Sequence, residues 1–286
     1  MTLSPVQAHQ MRIRAAQAGQ TAALDEAQRA LHWLHVQKGL LSGIQSHQAR
    51  HAHKAQVLPE ILPYIDGVLA AAHKLAQAGQ AVPADPVLAH CAVWAIDAGN
   101  WPLAVRLAEH LIQHDLPMPD EFERTAATAF ADMMSEAALY GRLPAGLAAD
   151  YMRQVAELTK EQDMPDQSRA KVHKAIAYAL SGKTLLAGQA GDWAGLDAAT
   201  LQMALQHLTQ AERLDADCGV KKDIAAVQKL LAQAAPEAHA EAEAEAEAEA
   251  EAEAEAEAEA EAEAEPAEKP AAPRSRAKAR PPKPKA

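Results

Sequence analysis

The chain has 286 residues, a formal net charge of −12 and only two cysteines, Cys91 and Cys218. Two cysteines exclude a disulfide-based scaffold and a cysteine-rich zinc site. Hydrophobic residues make up 49% of the sequence but aromatic residues only 3%, so alanine and leucine have to supply the core, and both favour helix. The first residues lack the apolar stretch of a secretory signal, and no apolar run is long enough to cross a membrane.

The distribution of charge divides the chain into three predicted regions. Residues 1–75 have a net charge of +3 and contain seven of the 13 histidines, and we interpret them as a helical region for DNA binding or oligomerisation. Residues 76–235 have a net charge of −7 and are predicted to form an all-α domain of helical hairpins. Residues 236–286 have a net charge of −8, an unbroken Glu-Ala alternation over 241–265 and a basic, proline-rich tip. This composition predicts a disordered tail.

Apolar periodicity predicts the helices of the first region. One set of apolar residues recurs at heptad spacing: Leu24, Ala27, Leu31, Leu34 and Leu41. This pattern fits a short coiled-coil seam in an oligomer, or an amphipathic helix packed on its own domain. A second helix is predicted to have Pro63 in its first turn and to continue through Leu69, because proline is tolerated at a helix start.

Residues 86–116 have the pattern of a helical hairpin. Turn residues at 97–100 separate two apolar helices, and Trp101-Pro102 opens the second one. A similar pattern recurs around 185–214, after Gly191, and the alternation of small and large residues is typical of tetratricopeptide-like packing. Further helices are predicted over 119–140, 147–160 and 167–180. No segment is typical of a strand, so the predicted fold class is all-α.

The segment from Ser181 to Thr184 superficially resembles a phosphate-binding loop. That motif needs a glycine five residues before Gly182, where this chain has Ala177, and a strand before the loop. The preceding residues have a helical pattern instead. We therefore predict a helix end followed by a turn at this position, and no nucleotide site.

Two patterns are candidates for metal-dependent chemistry. His47, His51 and His53 are closely spaced, but neighbouring cations favour a phosphate-facing helix over a metal site. Pro165-Asp166 followed by Lys171 has part of the carboxylate–lysine pattern of nucleases, yet the acidic position two residues before the lysine is an arginine. Residues alone therefore identify no active site.

Basic residues suited to phosphate are concentrated in the first region. We predict that six of them contact DNA: Arg12, Arg14, Arg29, Lys38, Arg50 and Lys54. Their alternative interpretation is a solvated surface. Clustering of Lys and Arg in one zone of an otherwise acidic chain is the electrostatic footprint expected of a DNA-binding surface.

Several sequence blocks occur in an order that indicates a family. They are Ser4-Pro5 with HQMRIRAAQA, LPEILPYIDGVL at 58–69, WAIDAG at 94–99, LPMP at 116–119 and LTKEQDMPDQSRAKVHKAIAYAL at 158–180. Over about residues 4–230, the chain resembles the small terminase (endonuclease) subunit of Peduovirus-type tailed phages. The Glu-Ala alternation departs from the family, whose tails are shorter, basic and proline-rich.

The resemblance implies a role in packaging phage DNA. It implies binding of the packaging-start, cohesive-end DNA and its endonucleolytic cleavage together with a large ATPase subunit, in the cytoplasm of the bacterial host. It also implies a homo-oligomer. If the nuclease centre lies in this chain, carboxylates would hold Mg²⁺ for in-line attack of water, and we assign Asp163, Asp166 and His173 to that centre.

Two alternatives to a catalytic subunit remain open. A non-catalytic recognition and assembly subunit would bind DNA and leave cleavage to its partner. A tetratricopeptide-like adaptor unrelated to DNA would have no salt-dependent DNA affinity, whereas binding to phosphates weakens steeply with salt.

Overall fold

A computed structural model describes residues 25–186 and 190–234, and all regular structure in these ranges is helical. The first helix, α1, covers 25–42 and the last, α9, covers 221–234. The seven helices between them are α2 (His47–Gln77), α3 (Pro86–Ala98), α4 (Trp101–Gln113), α5 (Ala126–Leu139), α6 (Ala148–Leu158), α7 (Asp166–Ser181) and α8 (Ala198–Leu214). The predicted all-α fold of helical hairpins is confirmed. The predictions for Arg12, Arg14, Leu24 and the tail lie outside the described residues.

Short polar side chains set the start of most of these helices. The caps accept a hydrogen bond from the backbone N–H three residues later, which satisfies a donor that the helix itself leaves unpaired. These caps are Ser46 for α2, Asp85 for α3, Asn100 for α4, Thr125 for α5 and Asp197 for α8.

The hairpin predicted over residues 86–116 is confirmed as α3 and α4. Gly99 ends α3 with φ 73°, a left-handed conformation that glycine adopts without strain. Asn100 then caps α4, and Pro102 occupies its first turn. The two helices pack closely, and Leu88 and Leu107 are fully buried between neighbours.

Helix α2 differs from the prediction because it begins at His47 and continues through both Pro59 and Pro63. Proline inside a helix costs about 3 kcal/mol, so the two prolines cost about 6 kcal/mol. Four buried side chains on this helix, Val57, Leu58, Ile61 and Ile65, contribute about 6–12 kcal/mol by the usual value for aliphatic burial. Packing against the core therefore outweighs the local signal that predicted a helix start.

The predicted start of α5 at residue 119 is also wrong. Residues 119–125 form a connection with a turn, in which Phe122 N–H donates to the Pro119 carbonyl at 2.8 Å. The helix begins only after Thr125, whose hydroxyl accepts from Thr128 N–H. In the second copy of the pattern, the helix predicted to follow the turn at Gly191 is present as α8, Ala198–Leu214.

The Ser181–Thr184 segment forms the predicted helix end and turn. Gly182 ends α7 with φ 68°, and the Lys183 ammonium then forms an ion pair with Asp223, which is nearly buried. The Tyr178 hydroxyl donates to the same carboxylate at 2.8 Å. One carboxylate from α9 therefore binds two side chains from the end of α7 and the turn after it.

The residues of α1 that were predicted to form a coiled-coil seam are not all in the same environment. Leu34 and Leu41 are buried in the core of the same chain, whereas Leu31 is 44% exposed. The heptad pattern was therefore produced largely by packing within the domain. Trp33 of α1 also donates its indole N–H to Glu60 of α2 at 3.0 Å.

Asp85 links the start of α3 to helix α2. One oxygen of its carboxylate accepts the N-cap hydrogen bond from Leu88 N–H at 2.9 Å, and the other accepts from the Tyr64 hydroxyl. Burial and this carboxylate raise the pKa of Tyr64, so the tyrosine remains a hydrogen-bond donor.

The chain divides into two units after Ala232. Helices α1 and α2, from the predicted first region, lie in the same unit as α3 to α8. Within the described ranges, none of the helices combines the length and the apolar character that a membrane span requires.

Candidate nucleic-acid interface

Three of the six residues predicted to contact DNA line a single groove. Lys38 comes from α1, and Arg50 and Lys54 come from the first two turns of α2. What we call the basic groove is also lined by His90 and Trp94 of α3 and by Glu121 and Phe122 of the connection before α5, among other residues. The groove has a volume of about 440 Å³. It therefore combines cations with aromatic rings at one place on the surface.

Lys54 is a largely buried cation of the basic groove, with 14% of its side chain exposed. Its ammonium forms an ion pair with Asp97 and lies 5.9 Å from the centre of the Trp94 ring. His51 Nε2 lies 3.6 Å from Asp97 as well, and burial lowers the pKa of His51. Lys54 is therefore partly neutralised within the fold and holds α2 against α3.

Lys38 lies at the more exposed end of the groove, where 42% of its side chain is accessible. Its Nζ is 2.5 Å from Glu121 Oε1 and 2.9 Å from His90 Nε2. His90 Nδ1 lies 2.7 Å from the Pro86 carbonyl, so its Nδ1–H donates to that carbonyl and Nε2 faces the Lys38 ammonium. The hydrogen bond from Lys38 lowers the pKa of Glu121 to about 2.

The side chain of Arg50 is oriented by a hydrogen bond from its Nε–H group. Its Nε–H donates to the Ile44 carbonyl at 2.6 Å, which fixes the orientation of the guanidinium. Within the described ranges, its two terminal nitrogens make no hydrogen bond. Two parallel N–H groups on a fixed guanidinium match the geometry of two phosphate oxygens.

The remaining predicted DNA contacts are not part of this groove. Arg29 is exposed on α1 and lines a separate surface depression with His32 and Trp33. Arg12 and Arg14 precede the described residues. The structure therefore brings together half of the predicted set.

The three predicted catalytic residues do not converge. Asp163 is exposed in the connection between α6 and α7, and Asp166 is the exposed first residue of α7. His173 follows seven residues later, which is about 10.5 Å along a helix at 1.5 Å per residue. Magnesium binds its ligands at about 2.1 Å, so Asp166 and His173 would need other partners for a shared ion. In the described part of the chain, no three His, Cys, Asp or Glu side chains form a metal-ligating group.

His173 instead pairs with a residue that sequence reasoning missed. Its Nδ1 lies 2.9 Å from Nδ1 of His207 on α8, and the two rings are 5.2 Å apart. Burial is the main cause that lowers the pKa of both histidines, that of His173 to about 4. The catalytic assignment of Asp163, Asp166 and His173 stays a prediction.

The lysine of the incomplete nuclease pattern also has a structural partner. Lys171 Nζ lies 3.3 Å from Asp132 Oδ1 on α5, and the other oxygen of Asp132 binds Arg124. Asp132 thus links α5 to α7 and to the preceding connection. The groove residues His90, Trp94, Glu121 and Phe122 were missed, because they are distant in sequence from the basic residues they meet.

Comparisons with known proteins give a consistent result. Residues 31–167 match the family described as phage small terminase subunit. A curated relative, the "Terminase, endonuclease subunit" of Escherichia phage P2, is 33% identical over 235 residues, which are 80% of this chain and 85% of that protein. No solved structure matches the chain.

Proposed function

Because the chain belongs to the phage small terminase subunit family, we propose that its basic groove binds the DNA that is selected for packaging. Membership of this family gives the chain the role of the small subunit in phage DNA packaging. The large ATPase subunit is the expected partner, and the packaging-start, cohesive-end sequence is the expected DNA.

The observation that carries this proposal is the meeting of Lys38, Arg50 and Lys54 in one groove. Phosphate contacts dominate the affinity of proteins for DNA, and they require cations that lie at the surface together. Arg50 offers two terminal nitrogens that are unpaired within the described chain. Phe122 supplies an apolar wall on which a sugar or an unstacked base packs, whereas Trp94 is 5% exposed and supports the groove from beneath.

The ion pair between Lys38 and Glu121 is compatible with this function. Both side chains are about half exposed, and exposed ion pairs of this kind contribute only about 0–1 kcal/mol. A DNA phosphate therefore competes with Glu121 for Lys38 at little cost. Lys54 contributes differently, because its ammonium already forms an ion pair with Asp97. It attracts DNA through the positive potential of the groove rather than by a direct phosphate contact.

Titration of a fluorescent duplex carrying a candidate cohesive-end site, over a range of salt concentrations, tests the proposal. We expect Lys38→Gln to weaken binding and to reduce the slope of log affinity against log salt by about 1, the value for one lost phosphate contact. Arg50→Gln should act in the same way. The matched control is Arg106→Gln, which removes an exposed arginine that pairs with Asp66 of α2 and does not line the basic groove.

Two results would contradict the groove as the DNA site. One is an unchanged affinity and salt slope for both Lys38→Gln and Arg50→Gln. The other is an equal loss for Arg106→Gln, which would indicate a non-specific effect of removing positive charge. Thermal unfolding of each variant verifies that the fold is retained.

Cleavage of DNA is a second candidate function, and the name of the phage P2 relative favours it. We propose that the chain directs endonucleolytic cleavage together with the large subunit. If the centre is in this chain, Mg²⁺ would supply charge stabilisation and an activated water, and Asp163, Asp166 and His173 stay our candidates. Incubating the chain alone with cohesive-end DNA and Mg²⁺ tests this idea: EDTA-sensitive nicking at the site supports it, and binding without nicking assigns the chemistry to the partner.

Assembly as a homo-oligomer is also part of this proposal. Three large apolar side chains on α1 are exposed, namely Leu31, Val36 and Leu40, and they suit a contact between copies of the chain. Light scattering of the full chain and of a Leu31→Gln, Leu40→Gln variant tests this contact, and an unchanged mass would contradict it.

We expect the protein to act in the cytoplasm of the host, in agreement with its two free cysteines, Cys91 and Cys218.

A further inference from the structure

A second basic cavity lies between α6, α7 and α8, and it is separate from the basic groove. It has a volume of about 400 Å³, and five of its lining residues are basic or imidazole side chains: Arg153, Lys160, Arg169, His173 and His207. We propose that this cavity, called here the α6–α8 pocket, binds a phosphate group. The proposal does not depend on whether the basic groove binds DNA.

Arg169 gives the pocket a positive charge that no carboxylate neutralises within the described residues. Its guanidinium donates to three backbone carbonyls, those of Thr159, Lys160 and Gln162. The carbonyls belong to the end of α6 and the residues after it, where the helix dipole supplies only about half an elementary negative charge. A half-buried cation with neutral partners alone favours the arrival of an anion.

Arg153 and Lys160 add two cations whose partners are weakly held. Arg153 pairs with Asp150 one turn earlier on α6, and Lys160 lies 3.9 Å from Glu157. All four of these side chains are about half exposed or more. Exposed ion pairs between near neighbours in sequence are easily exchanged for a multiply charged phosphate. Of the residues that line the pocket, three are cations and one, Glu157, is a carboxylate.

The histidine pair supplies hydrogen-bond donors on the same wall. The rings of His173 and His207 share a hydrogen bond through their Nδ1 atoms, so the ring that accepts there must carry its proton on Nε2. Neither Nε2 has a partner among the described residues, and neither atom is sealed from solvent. The pocket thus has an N–H donor beside the guanidinium groups, which is the combination that binds phosphate oxygens.

The charged groups around the histidines come from all three helices. The positive charges of Arg169 on α7 and Arg213 on α8 lower the pKa of His173, and that of Arg153 on α6 lowers the pKa of His207. Glu157 is the carboxylate on the pocket wall. A bound phosphate would offset the three arginines, so its arrival is expected to raise the pKa of both histidines.

Nuclear magnetic resonance of the histidine side chains tests the proposal on the full-length, ¹⁵N-histidine-labelled chain. Inorganic phosphate is added at constant ionic strength and constant pH, with chloride as the balancing salt. We expect the ring signals of His173 and His207 to shift with a saturable dependence on phosphate, while those of His35, which is exposed on α1, do not shift. Signals are assigned from His173→Gln and His207→Gln.

A matched pair of arginine variants gives the decisive comparison. Arg153→Gln is expected to weaken phosphate binding by about fivefold or more, the effect of losing one charge-assisted hydrogen bond. Arg106→Gln removes an arginine that is equally exposed and also paired with an aspartate, and it should leave the affinity unchanged. Absence of a saturable shift, or equal binding by both variants, would overturn the proposal.

A third arm distinguishes the source of the phosphate. Addition of a short DNA duplex that displaces inorganic phosphate from the pocket would identify a backbone phosphate as the natural ligand. Continued binding of inorganic phosphate in the presence of saturating duplex would identify a free phosphate compound. Both results support the pocket, and only the first would make it a second DNA contact.

Discussion

The Nδ1 atoms of His173 and His207 lie 2.9 Å apart and join α7 to α8 through one hydrogen bond. Such a bond needs one ring to donate and the other to accept, so it is lost when both rings are protonated. Among the helices α2 to α8, α7 and α8 pack on each other most extensively, so this bond lies at the largest contact among those seven helices.

Acidification is expected to destabilise the protein through this pair. Burial lowers the pKa of His173 from 6.5 to about 4, so the unfolded chain binds more protons than the folded chain between these values. The corresponding stability is present above about pH 6.5 and is lost as the pH falls towards 4. Urea unfolding at several pH values should find a smaller acid-induced loss in His173→Gln than in the unchanged protein. Parallel profiles would contradict this, and the exposed His35→Gln serves as the control.

Removing the negative charge of Glu121 is expected to strengthen DNA binding. In Glu121→Gln, Lys38 loses its carboxylate partner and becomes available to a phosphate. We expect affinity to rise about two- to fivefold, the equivalent of about 0.5–1 kcal/mol. Fluorescence anisotropy with a labelled duplex measures the change. Glu109→Gln, an exposed glutamate on α4, is the control, and a rise of the same size there would indicate a general charge effect.

Replacement of Asp223 is expected to be strongly destabilising. Asp223→Asn keeps a group that accepts from Tyr178 but leaves the Lys183 ammonium, which is 22% exposed, without its counter-charge. Breaking a buried pair from one side costs about 3–5 kcal/mol, and the partial exposure of Lys183 reduces our expectation to about 2–4 kcal/mol. Urea unfolding measures this free energy. Asp66→Asn breaks the exposed pair with Arg106 and should cost less than about 1 kcal/mol.

Ser135 is expected to be replaceable by alanine without loss of stability. Its hydroxyl is fully buried in α5 and has no hydrogen-bond partner in the described structure. A buried polar group without a partner costs about 1–3 kcal/mol, so Ser135→Ala should leave the free energy of unfolding unchanged or raise it by about 1 kcal/mol. Ser181→Ala is the comparison, because that hydroxyl donates to the Tyr178 carbonyl and its loss should be destabilising. A clear loss in Ser135→Ala would contradict the prediction.

Local signals made the α3–α4 hairpin predictable from sequence. Asp85 and Asn100 cap the two helices, Gly99 ends the first, and prolines occupy both first turns. Each of these effects acts within a few residues, so they can be recognised from the local sequence alone. The end of α7 at Gly182 was predictable for the same reason.

Long-range contacts explain what the sequence did not predict. Lys38 and Glu121 are 83 residues apart, and His173 and His207 are 34 apart. No periodicity or motif in the sequence indicates such contacts, since they depend on how whole helices pack. The course of α2 through Pro59 and Pro63 has the same origin, because buried neighbours rather than local preference decide it.

The shared carboxylate of Asp85 constrains how this protein can change over evolution. One oxygen starts α3 and the other receives the Tyr64 hydroxyl. A serine or threonine at position 85 would still cap the helix, but it would leave the tyrosine hydroxyl with a poorer partner. Positions 64 and 85 should therefore vary together among relatives, with phenylalanine accompanying a hydroxyl cap and tyrosine accompanying aspartate.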